Sequence, residues 1–436
     1  MKKLALHWQI LLGMAAGVIF ALLMTNFSWG AEFIGDWIKP FGNIFINALK
    51  LIAVPLILAS LIKGISDLKD ISKLSKMGTR TILIYIATTV IAVSIGLGMV
   101  NLIKPGSAIS EETRNELIAS YEGDASVRIA DAAKQKEAGP LQALEDLVPS
   151  NIFAAAGDNS NMLQVIFFAI FFGIGLILIP EETAKPVKAF FDGFNEVILK
   201  LIDIIMLAAP YGVFALLAAL VVESPSTDLF QALAMYAVTV LGGLAIMIGV
   251  YLLIVWIFTG KSPAFFENGM APAQLLAFST SSSAATLPVT MERVEEHLGV
   301  EEEVASFVLP IGATINMDGT SLYQAVAAVF IAQAFGMDLS LSAQLGIIAT
   351  ATLASIGSAA VPGAGMVMLV IVLAQAGIPE AGLALIFAVD RPLDMCRTTV
   401  NVTGDAAVSM MVAKSVDKLG EPVAKNWNDH MPKASK

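Results

Sequence analysis

Residues 390–405 read DRPLDMCRTTVNVTGD and lie within a segment, from about residue 381 to 412, that otherwise has the composition of a hydrophobic helix. The polar residues Asp390, Asp394, Arg397, Asn401 and Asp405 follow one another at intervals of 4, 3, 4 and 4, which an α-helix places on one face. Charged side chains are costly in hydrocarbon unless they line a bundle interior or a watery site. The stripe therefore indicates a path for a ligand or an ion, with structural hydrogen bonds between helices as the alternative.

The whole chain has the composition of an integral membrane protein. Of its 436 residues, 56% are hydrophobic and 14% are charged, and the mean hydropathy is +0.76. The net charge of −11 argues against a nucleic-acid partner, because nothing in the sequence builds a basic face. The single Cys396 and three histidines near segment ends or in tails give no pattern for an intrachain disulfide, a zinc site or a catalytic triad.

Apolar segments in the first part of the chain predict six membrane spans. They cover, approximately, residues 8–24, 41–62, 81–102, 152–179, 187–222 and 230–258. Segments of about 30 residues exceed the roughly 20 that cross a bilayer, so they must tilt, break or extend beyond it. Five basic residues between residues 63 and 80, against none between 26 and 37, predict a cytoplasmic N-terminus. The polar residues 104–150 are expected to form an extracellular loop.

Two later apolar regions are interrupted by small polar residues. The sequence STSSS at residues 279–283 separates two short apolar arms, and SIGSAAVPGAG at residues 355–365 separates two more. Each arm is too short to cross about 30 Å of hydrocarbon at about 1.5 Å per residue. Non-helical backbone at this depth needs partners from protein or a water-filled cavity. The pattern predicts two re-entrant helical hairpins, with two kinked spanning helices as the alternative.

Between the two hairpins, the sequence NMDGT at residues 316–320 lies in the middle of a span from about residue 304 to 335. Asn, Asp and Gly are poor helix formers, so the pattern predicts an unwound turn with free carbonyl groups. A structural polar break is the alternative. Oxygen-bearing side chains occur here and on one face of the third span, namely Thr314, Asn316, Asp318, Tyr85, Thr88 and Thr89. Oxygen ligands without sulfur suit a hard cation such as Na⁺, although membrane hydroxyls most often bond to carbonyls of their own helix.

The hairpins and the spans that follow them form a duplicated unit. A hairpin and a broken span at residues 263–335 are followed by a hairpin and a polar span at residues 340–411. Each unit adds an odd number of crossings, so the two units lie in opposite orientations. Inverted repeats with sites at broken helices are an architecture of secondary transporters.

Four motifs in order, STSSSAATLP at 279–288, NMDGT at 316–320, SIGSAAVPGAG at 355–365 and DMCRTTVNVTGD at 394–405, resemble those of the dicarboxylate/amino acid:cation symporter family. This family comprises the glutamate transporters and their prokaryotic homologues. The resemblance implies an all-α polytopic membrane protein with eight transmembrane helices, two re-entrant helical hairpins and inverted repeats. It also implies an elevator-type transporter that assembles as a homotrimer in the inner (plasma) membrane, with cytoplasmic N- and C-termini.

The resemblance further implies a division of the chain into a scaffold and a moving transport domain. The scaffold would contain helices 1–2 at residues 1–62 and helices 4–5 at residues 151–222. The transport domain would contain helix 3 at residues 77–103 and, at residues 228–415, helix 6, hairpin 1, helix 7, hairpin 2 and helix 8. Residues 104–150 would form the extracellular loop and residues 416–436 a cytoplasmic tail.

Site residues follow from the same resemblance. Arg397 would hold the side-chain carboxylate of the substrate, since its planar fork suits bidentate contact, and Asp394 would take the ammonium group. The substrate pocket would be completed by Thr398, Asn401, Thr320, Ser283 and the backbone near Val361 and Gly365. Three cation sites are implied: Asp405 with Asn316 and Asn401; Thr314 with carbonyl groups near Ser355, Ile356 and Ser358; and Asp318 with Tyr85, Thr88, Thr89 and Asn316.

The expected function is uptake of L-aspartate or L-glutamate coupled to Na⁺. The acid at position 394 favours an amino acid, because dicarboxylate members of the family lack it. A proton-coupled glutamate/aspartate or C4-dicarboxylate symporter of the same fold is the nearest alternative, and an ion channel is the alternative from another class. An intramembrane aspartyl hydrolase is disfavoured, because it would not need Arg397 among its acids.

One departure from the family pattern concerns arginine. Family members often carry a second arginine at the positions that Ser281 and Met395 occupy here, whereas this chain has Arg391 about one turn before Met395. We hypothesise that Arg391 reaches the cavity and competes for Asp394, helping release of substrate or cation. The alternative is a structural salt bridge to Asp390 or Asp394.

Overall fold

The computed structural model describes residues 6–72, 75–120, 148–157, 162–223, 227–356 and 363–423. Within these ranges the chain is helical, and its only extended pairing is an antiparallel bridge between Val300 and Leu419. The fold is thus all-α over the described residues. The central part of the predicted loop, residues 121–147, lies outside them, as do the tip of the second hairpin, with Ser358 and Val361, and the end of the tail from residue 424.

The first half of the chain contributes seven long helices among the described residues. These are α1 Leu6–Met24, α2 Lys39–Ser72, α3 Ser75–Ile103, α4 Met162–Leu178, α5 Glu181–Leu207, α6 Ala209–Glu223 and α7 Thr227–Thr259. Shorter helical segments precede α2 at Gly30–Phe33 and Ile34–Ile38, and others lie at Pro105–Ala108, Glu111–Ser120 and Ile152–Ala156.

The second half is built from shorter helices followed by one long helix. These are α8 Pro263–Thr280, α9 Ser283–Glu292, α10 Glu302–Ile315, α11 Asp318–Ala334, α12 Leu341–Ile356, α13 Ala364–Gln375 and α14 Leu383–Ser415. Short turns lie at Arg293–His297 and Glu380–Gly382.

Three helical segments among the described residues are long and apolar enough to cross a membrane. They cover Gly30–Lys63, Met77–Ala108 and Asp228–Thr259. Shorter apolar helices, such as Gln164–Leu178 and Ala364–Gln375, accompany them. These lengths and compositions are those of a membrane protein, and the predicted total of eight spans stays a prediction.

Proline has opposite effects at two places in the chain. The apolar segment predicted at residues 187–222 divides at Ala208 into α5 and α6, because Pro210 in the first turn of α6 lacks an N–H for a continuing helix. At Pro392, in contrast, α14 is continuous, so Asp390 and Asp394 lie on one helix as their spacing predicted. Packing of α14 against α7, α8, α10 and α11 accommodates the missing hydrogen bond.

The helices pack in two groups. The first contains α1, α2, α4, α5 and α6, with α1 lying along α6 and α2 in contact with α4, α5 and α6. Gly13 and Gly17 let α1 and α6 approach closely, since a Cβ atom at these positions would lie 2.4 Å from the Pro210 carbonyl oxygen and 2.6 Å from that of Phe214. Small residues four apart are a common means of close helix contact in membranes.

The second group surrounds α11 and contains α3, α7 and the helices from α8 to α14. Every residue of α11 except Gln333 is buried, as expected for a helix that other helices surround on all sides. Contacts of α13 with α2 and of α14 with α6 join the two groups. The polar stripe of α14 lies at the centre of the second group.

The first predicted hairpin consists of α8 and α9, which pack against each other. The chain reverses at Ser281, whose φ of 51° is left-handed, and the Ser282 hydroxyl caps α9 by accepting the N–H of Ala285 over 3.2 Å. The helices α12 and α13 also contact each other, on either side of residues 357–362. Whether either pair is re-entrant in a bilayer stays a prediction.

The chain after α14 returns to the loop between α9 and α10. Gly420 donates its backbone N–H to Gly299 over 2.8 Å, and Val423 donates to Glu296 over 2.9 Å. The ammonium group of Lys418 contacts the Glu303 carboxylate. The described start of the predicted tail is thus attached to the base of the first hairpin.

Candidate functional site

The predicted break within the seventh span is confirmed at Asn316 and Met317. Helix α10 ends at Ile315 and α11 begins at Asp318, and the intervening residues have non-helical φ/ψ angles of −99°/84° and −112°/57°. Ser355 of α12 bonds to the freed backbone, accepting the N–H of Met317 over 3.0 Å and donating to the carbonyl oxygen of Ile315 over 2.9 Å. The second hairpin is therefore attached to the break.

Helix α14 holds the start of α11 through Asn401. The side-chain oxygen of Asn401 accepts the N–H of Gly319 over 2.8 Å and that of Thr320 over 3.4 Å, and its amide donates to the Thr320 hydroxyl over 3.2 Å. A Cβ atom at Gly319 would lie 2.3 Å from the carbonyl oxygen of Arg397. Only glycine permits this contact, so α11 and α14 lie in close backbone contact at this point.

Arg397 lies at the centre of the first polar cluster. Its side chain is fully buried, with Nη1 donating to Asp390 over 2.9 Å and Nε donating to Asp394 over 3.0 Å. The guanidinium carbon lies 4.0 Å from the ring centroid of Tyr323, a cation–π distance, and the Tyr323 hydroxyl donates to Asp390 over 2.8 Å. Arg397 is thereby fixed in one orientation by two acids and one aromatic ring.

Asp394 lies between two arginines. While its Oδ1 faces Arg397, its Oδ2 accepts Nη1 of Arg391 over 2.9 Å and, more weakly, the N–H of Gly363 over 3.4 Å. The Thr398 hydroxyl donates back to the Asp394 carbonyl over 2.8 Å. Arg391 thus contacts Asp394, as the hypothesised competition and a structural salt bridge both require.

A small open cavity adjoins this cluster. Its lining includes Asp390, Arg391 and Asp394 of α14 together with Leu49 of α2 and Val213 of α6. The cavity therefore lies between the two helix groups. On the α13 side, a Cβ atom at Gly365 would lie 3.1 Å from Nη2 of Arg397, so the glycine lets α13 pack closely against the guanidinium group.

A second polar cluster surrounds Asp318. Its Oδ1 accepts the Thr89 hydroxyl over 2.6 Å, and its Oδ2 accepts the hydroxyl of Tyr251 from α7. The Thr88 hydroxyl lies 3.3 Å from the side-chain oxygen of Asn316. Both threonine hydroxyls also lie about 3 Å from the Tyr85 carbonyl oxygen. Each hydroxyl is therefore within hydrogen-bond distance of its own helix and of the Asp318 cluster.

Asp405 joins this cluster from α14. The amide of Asn316 donates to its Oδ1 over 3.0 Å. A Cβ atom at Gly312 would lie 2.5 Å from this oxygen and 2.4 Å from the Tyr85 hydroxyl, so the glycine lets both groups approach α10. The Tyr85 hydroxyl donates to the Val308 carbonyl over 3.0 Å. Carboxylate, amide and hydroxyl oxygens thus meet at the break.

The four acids of these two clusters differ in their charge partners. Asp390 and Asp394 form salt bridges with Arg397 and Arg391, whereas Asp318 and Asp405 form none with any residue that the structure describes. Over the same residues there is no group of three or more His, Cys, Asp or Glu side chains that suits a metal ion. The second cluster therefore has two carboxyl groups without a basic partner, and its other side-chain oxygens belong to neutral groups.

Other predicted site residues are less closely connected. Ser283 is buried at the start of α9, while Thr314 is exposed and donates to the Ile311 carbonyl within its own helix over 3.0 Å. Ile356 ends α12, and the partners proposed at Ser358 and Val361 fall outside the described residues. Of the expected cation site at Thr314, Ser355 and Ile356 lie within the described residues, and Ser355 bonds to the broken backbone there.

Two tyrosines in these clusters were missed by sequence reasoning. Tyr251 contacts Asp318 and Tyr323 contacts both Asp390 and Arg397, yet neither belongs to a motif. A single tyrosine within an apolar span gives no sequence signal of the partner of its hydroxyl. Only the packing of α7 and α11 reveals these contacts.

Buried charges around a broken helix, enclosed in an apolar helical bundle, are an arrangement found in membrane transporters. Residues 6–415 match the model of the sodium:dicarboxylate symporter family, and the chain belongs to this family. The resemblance inferred from the four motifs is thereby confirmed.

Curated relatives match over nearly the whole chain. A proton/sodium-glutamate symport protein of Geobacillus stearothermophilus is 34% identical over 438 residues, covering 98% of both chains. A proton/glutamate-aspartate symporter of Escherichia coli is 33% identical, covering 94% of this chain and 93% of its own. The human excitatory amino acid transporter 3 is 38% identical, covering 86% and 78% respectively. These relatives are transporters, as this chain is.

Proposed function

We propose that the protein takes up L-aspartate or L-glutamate together with Na⁺ by an elevator mechanism. The observation that carries the proposal is the division of the buried acids. Asp390 and Asp394 share two arginines, whereas Asp318 and Asp405 have no basic partner among the described residues. Unpaired carboxylates in a dry interior need a cation or a proton, so the second cluster suits the coupling ion and the first suits the substrate.

The first cluster has the groups that an acidic amino acid needs. The Nη2 atom of Arg397 lies 2.9 Å from Asp394 but makes no aligned hydrogen bond with any described residue, so a donor remains for a carboxylate. The substrate ammonium group can replace one of the two arginines as the charge partner of Asp394. Thr320, Asn401, Thr398 and Gly365 lie around this point, while Ser283 and Val361 belong to the pocket by resemblance. The names of the relatives support the same class of substrate.

The second cluster suits Na⁺ because its ligands are hard oxygens around a small number of acids. Divalent ions usually collect more carboxylates than are present here. We assign one Na⁺ to Asp318 with Tyr85, Thr88, Thr89 and Asn316, and another to Asp405 with Asn316 and Asn401. The third assignment, to Thr314 with Ser355, Ile356 and Ser358, rests on the resemblance alone.

Coupling follows from the short covalent and hydrogen-bonded path between the clusters. Asn316 bonds to Asp405, and Gly319 and Thr320, only a few residues away, bond to Asn401. A cation that coordinates the side-chain oxygen of Asn316 would therefore also change the position of the start of α11, which borders the substrate cluster. Ser355 extends the same connection to the second hairpin.

The two helix groups support the elevator component of the proposal. We assign α1, α2, α4, α5 and α6 to a scaffold, which forms the centre of a homotrimer, and α3 with the helices from α7 to α14 to the transport domain. Both clusters lie within the second group, so substrate and ions would move together. We place the protein in the plasma membrane with both termini cytoplasmic, eight spans and two re-entrant hairpins.

Uptake into proteoliposomes tests the proposal. Labelled L-aspartate, L-glutamate and succinate are offered under an inward Na⁺ gradient, an inward proton gradient, or neither. Accumulation of the amino acids under Na⁺ is the expected result. Accumulation under the proton gradient alone would favour the second candidate, proton-coupled symport, because Asp318 and Asp405 can also bind protons. Current without accumulation would identify a channel, and no accumulation under either gradient would overturn the proposal.

A further inference from the structure

Tyr251 reaches the Asp318 cluster from a helix that the sequence did not connect with it. The side chain is fully buried, and its hydroxyl donates to Oδ2 of Asp318. The other carboxylate oxygen, Oδ1, accepts the hydroxyl of Thr89 over 2.6 Å. Asp318 is therefore held from two directions, by one hydroxyl on α3 and one on α7.

The position of the Tyr251 hydroxyl depends on a glycine in α14. A Cβ atom at Gly404 would lie 2.4 Å from this hydroxyl and 3.1 Å from the side-chain nitrogen of Asn316. The hydroxyl is thus close to two groups assigned to cation binding, and Gly404 directly precedes Asp405. A larger residue at position 404 would displace the tyrosine from the cluster.

A buried tyrosine hydroxyl often has only a packing role, with its partner a convenient acceptor. Tyr236 offers a comparison on the same helix, where it is equally buried and stacks on Phe330 with ring centroids 4.7 Å apart. The partner of Tyr251, in contrast, is a carboxylate that has no basic neighbour among the described residues. A charge-assisted hydrogen bond to such a group is stronger than a neutral one and fixes its orientation.

We propose that Tyr251 is a further positioning residue of the cation site at Asp318, where its hydroxyl orients the carboxylate for Na⁺. Each carboxylate oxygen accepts more than one contact, so the two hydroxyls leave room for the ion. Without the Tyr251 hydroxyl, Thr89 alone would hold the Asp318 carboxylate, which would then be less well oriented before the ion binds. The inference rests on the proposed Na⁺ coupling.

The test measures Na⁺ binding without transport. The melting temperature of the purified, substrate-free protein is followed over a Na⁺ series at constant ionic strength with choline, since an ion that binds the folded state raises it. Tyr251→Phe is expected to need about tenfold more Na⁺ for half of the stabilisation, in keeping with loss of one hydrogen bond to a charged group. Tyr236→Phe, which removes a buried hydroxyl from the same helix, should leave the Na⁺ midpoint unchanged.

A second pair of variants moves the hydroxyl without removing it. Gly404→Ala should raise the Na⁺ midpoint as Tyr251→Phe does, whereas Gly249→Ala, on α7 with no atom within 4 Å of the added Cβ, should not. In proteoliposomes at saturating Na⁺, Tyr251→Phe should retain the wild-type KM for the amino acid. This separation between ion and substrate dependence is not expected of a general packing defect.

The outcomes distinguish this inference from the proposal on which it depends. If Na⁺ stabilises the wild type and Tyr251→Phe with the same midpoint, only the role of Tyr251 is overturned. If Na⁺ does not stabilise the wild type, Na⁺ coupling fails and the inference fails with it. Loss of cooperative melting in both Tyr251→Phe and Gly404→Ala would show a purely structural role, which also overturns the inference.

Discussion

Arg391 and Asp394 form a buried salt bridge of 2.9 Å on one face of α14, three residues apart, while the other oxygen of Asp394 faces Arg397. Asp394 thus has two cationic partners before any ammonium group arrives. An incoming ammonium group must replace at least part of this pairing. The cost of replacement depends on Arg391, because Arg397 is held by Asp390 as well.

The first prediction concerns Arg391→Ala. Removing the competing guanidinium should tighten substrate binding by roughly tenfold and slow exchange, because a buried charge pair no longer has to be broken. Binding is measured by calorimetry on purified protein, and exchange in proteoliposomes that contain substrate on both sides. Arg391→Lys keeps the charge and should resemble the wild type. Unchanged affinity and exchange rates in Arg391→Ala would end the hypothesis that this residue competes for Asp394.

The second prediction concerns the shape of Arg397. Arg397→Lys keeps the positive charge but replaces a planar fork, which contacts two acids and the Tyr323 ring, with a point charge. We expect substrate affinity to fall by about 30-fold or more, with the Na⁺ midpoint for thermal stabilisation little changed. Substrate binding is measured at saturating Na⁺. Wild-type affinity in Arg397→Lys would show that the fork does not hold the substrate carboxylate.

The third prediction compares two acids of α14 that differ in charge pairing. In Na⁺-free buffer, Asp405→Asn should stabilise the protein by about 1–3 kcal/mol, because it removes a buried charge that lacks a basic partner. Asp390→Asn should instead destabilise it by about 2 kcal/mol, because it leaves Arg397 with one acid fewer. Melting temperature and Na⁺ response are measured for both. The same sign of effect for both variants would contradict the division of the acids.

The fourth prediction concerns the pH dependence of stability and a glutamate in the segment after the first hairpin. Burial, with the nearby carboxylates of Glu302 and Glu296, raises the pKa of the half-buried Glu295 above its ordinary value. The folded chain therefore holds this proton more tightly than the unfolded chain, so the contribution of Glu295 to stability falls as pH rises from the unfolded pKa through the folded pKa. Glu295→Gln removes this dependence.

At pH 7 we expect Glu295→Gln to raise the melting temperature by roughly 1 °C, a small effect because the group is partly solvated. At about pH 3 or below, where the carboxyl group is protonated in both states, the variant and the wild type should melt alike. Exposed Glu32 provides the matched control as Glu32→Gln. A difference that is independent of pH would show that the substitution acts through packing.

Sequence patterns predicted the features that depend on neighbours along the chain. The intervals within residues 390–405 predicted one polar helical face, and the poor helix formers at Asn316 and Asp318 predicted the break that separates α10 from α11. The four ordered motifs predicted the family. Proline was less informative, since Pro210 lies in the first turn of α6, whereas α14 continues through Pro392.

The sequence by itself determined the apolar helical segments and the polar face, because periodicity and composition are properties of short segments. Tertiary structure alone decided which acids are paired. Asp390 and Asp394 meet arginines on their own helix, while Asp318 and Asp405 meet hydroxyls and amides that come from α3, α7 and the break at Asn316. In a low-dielectric interior the energy of a carboxylate depends on the atoms within a few ångströms, and these come from segments far apart in sequence.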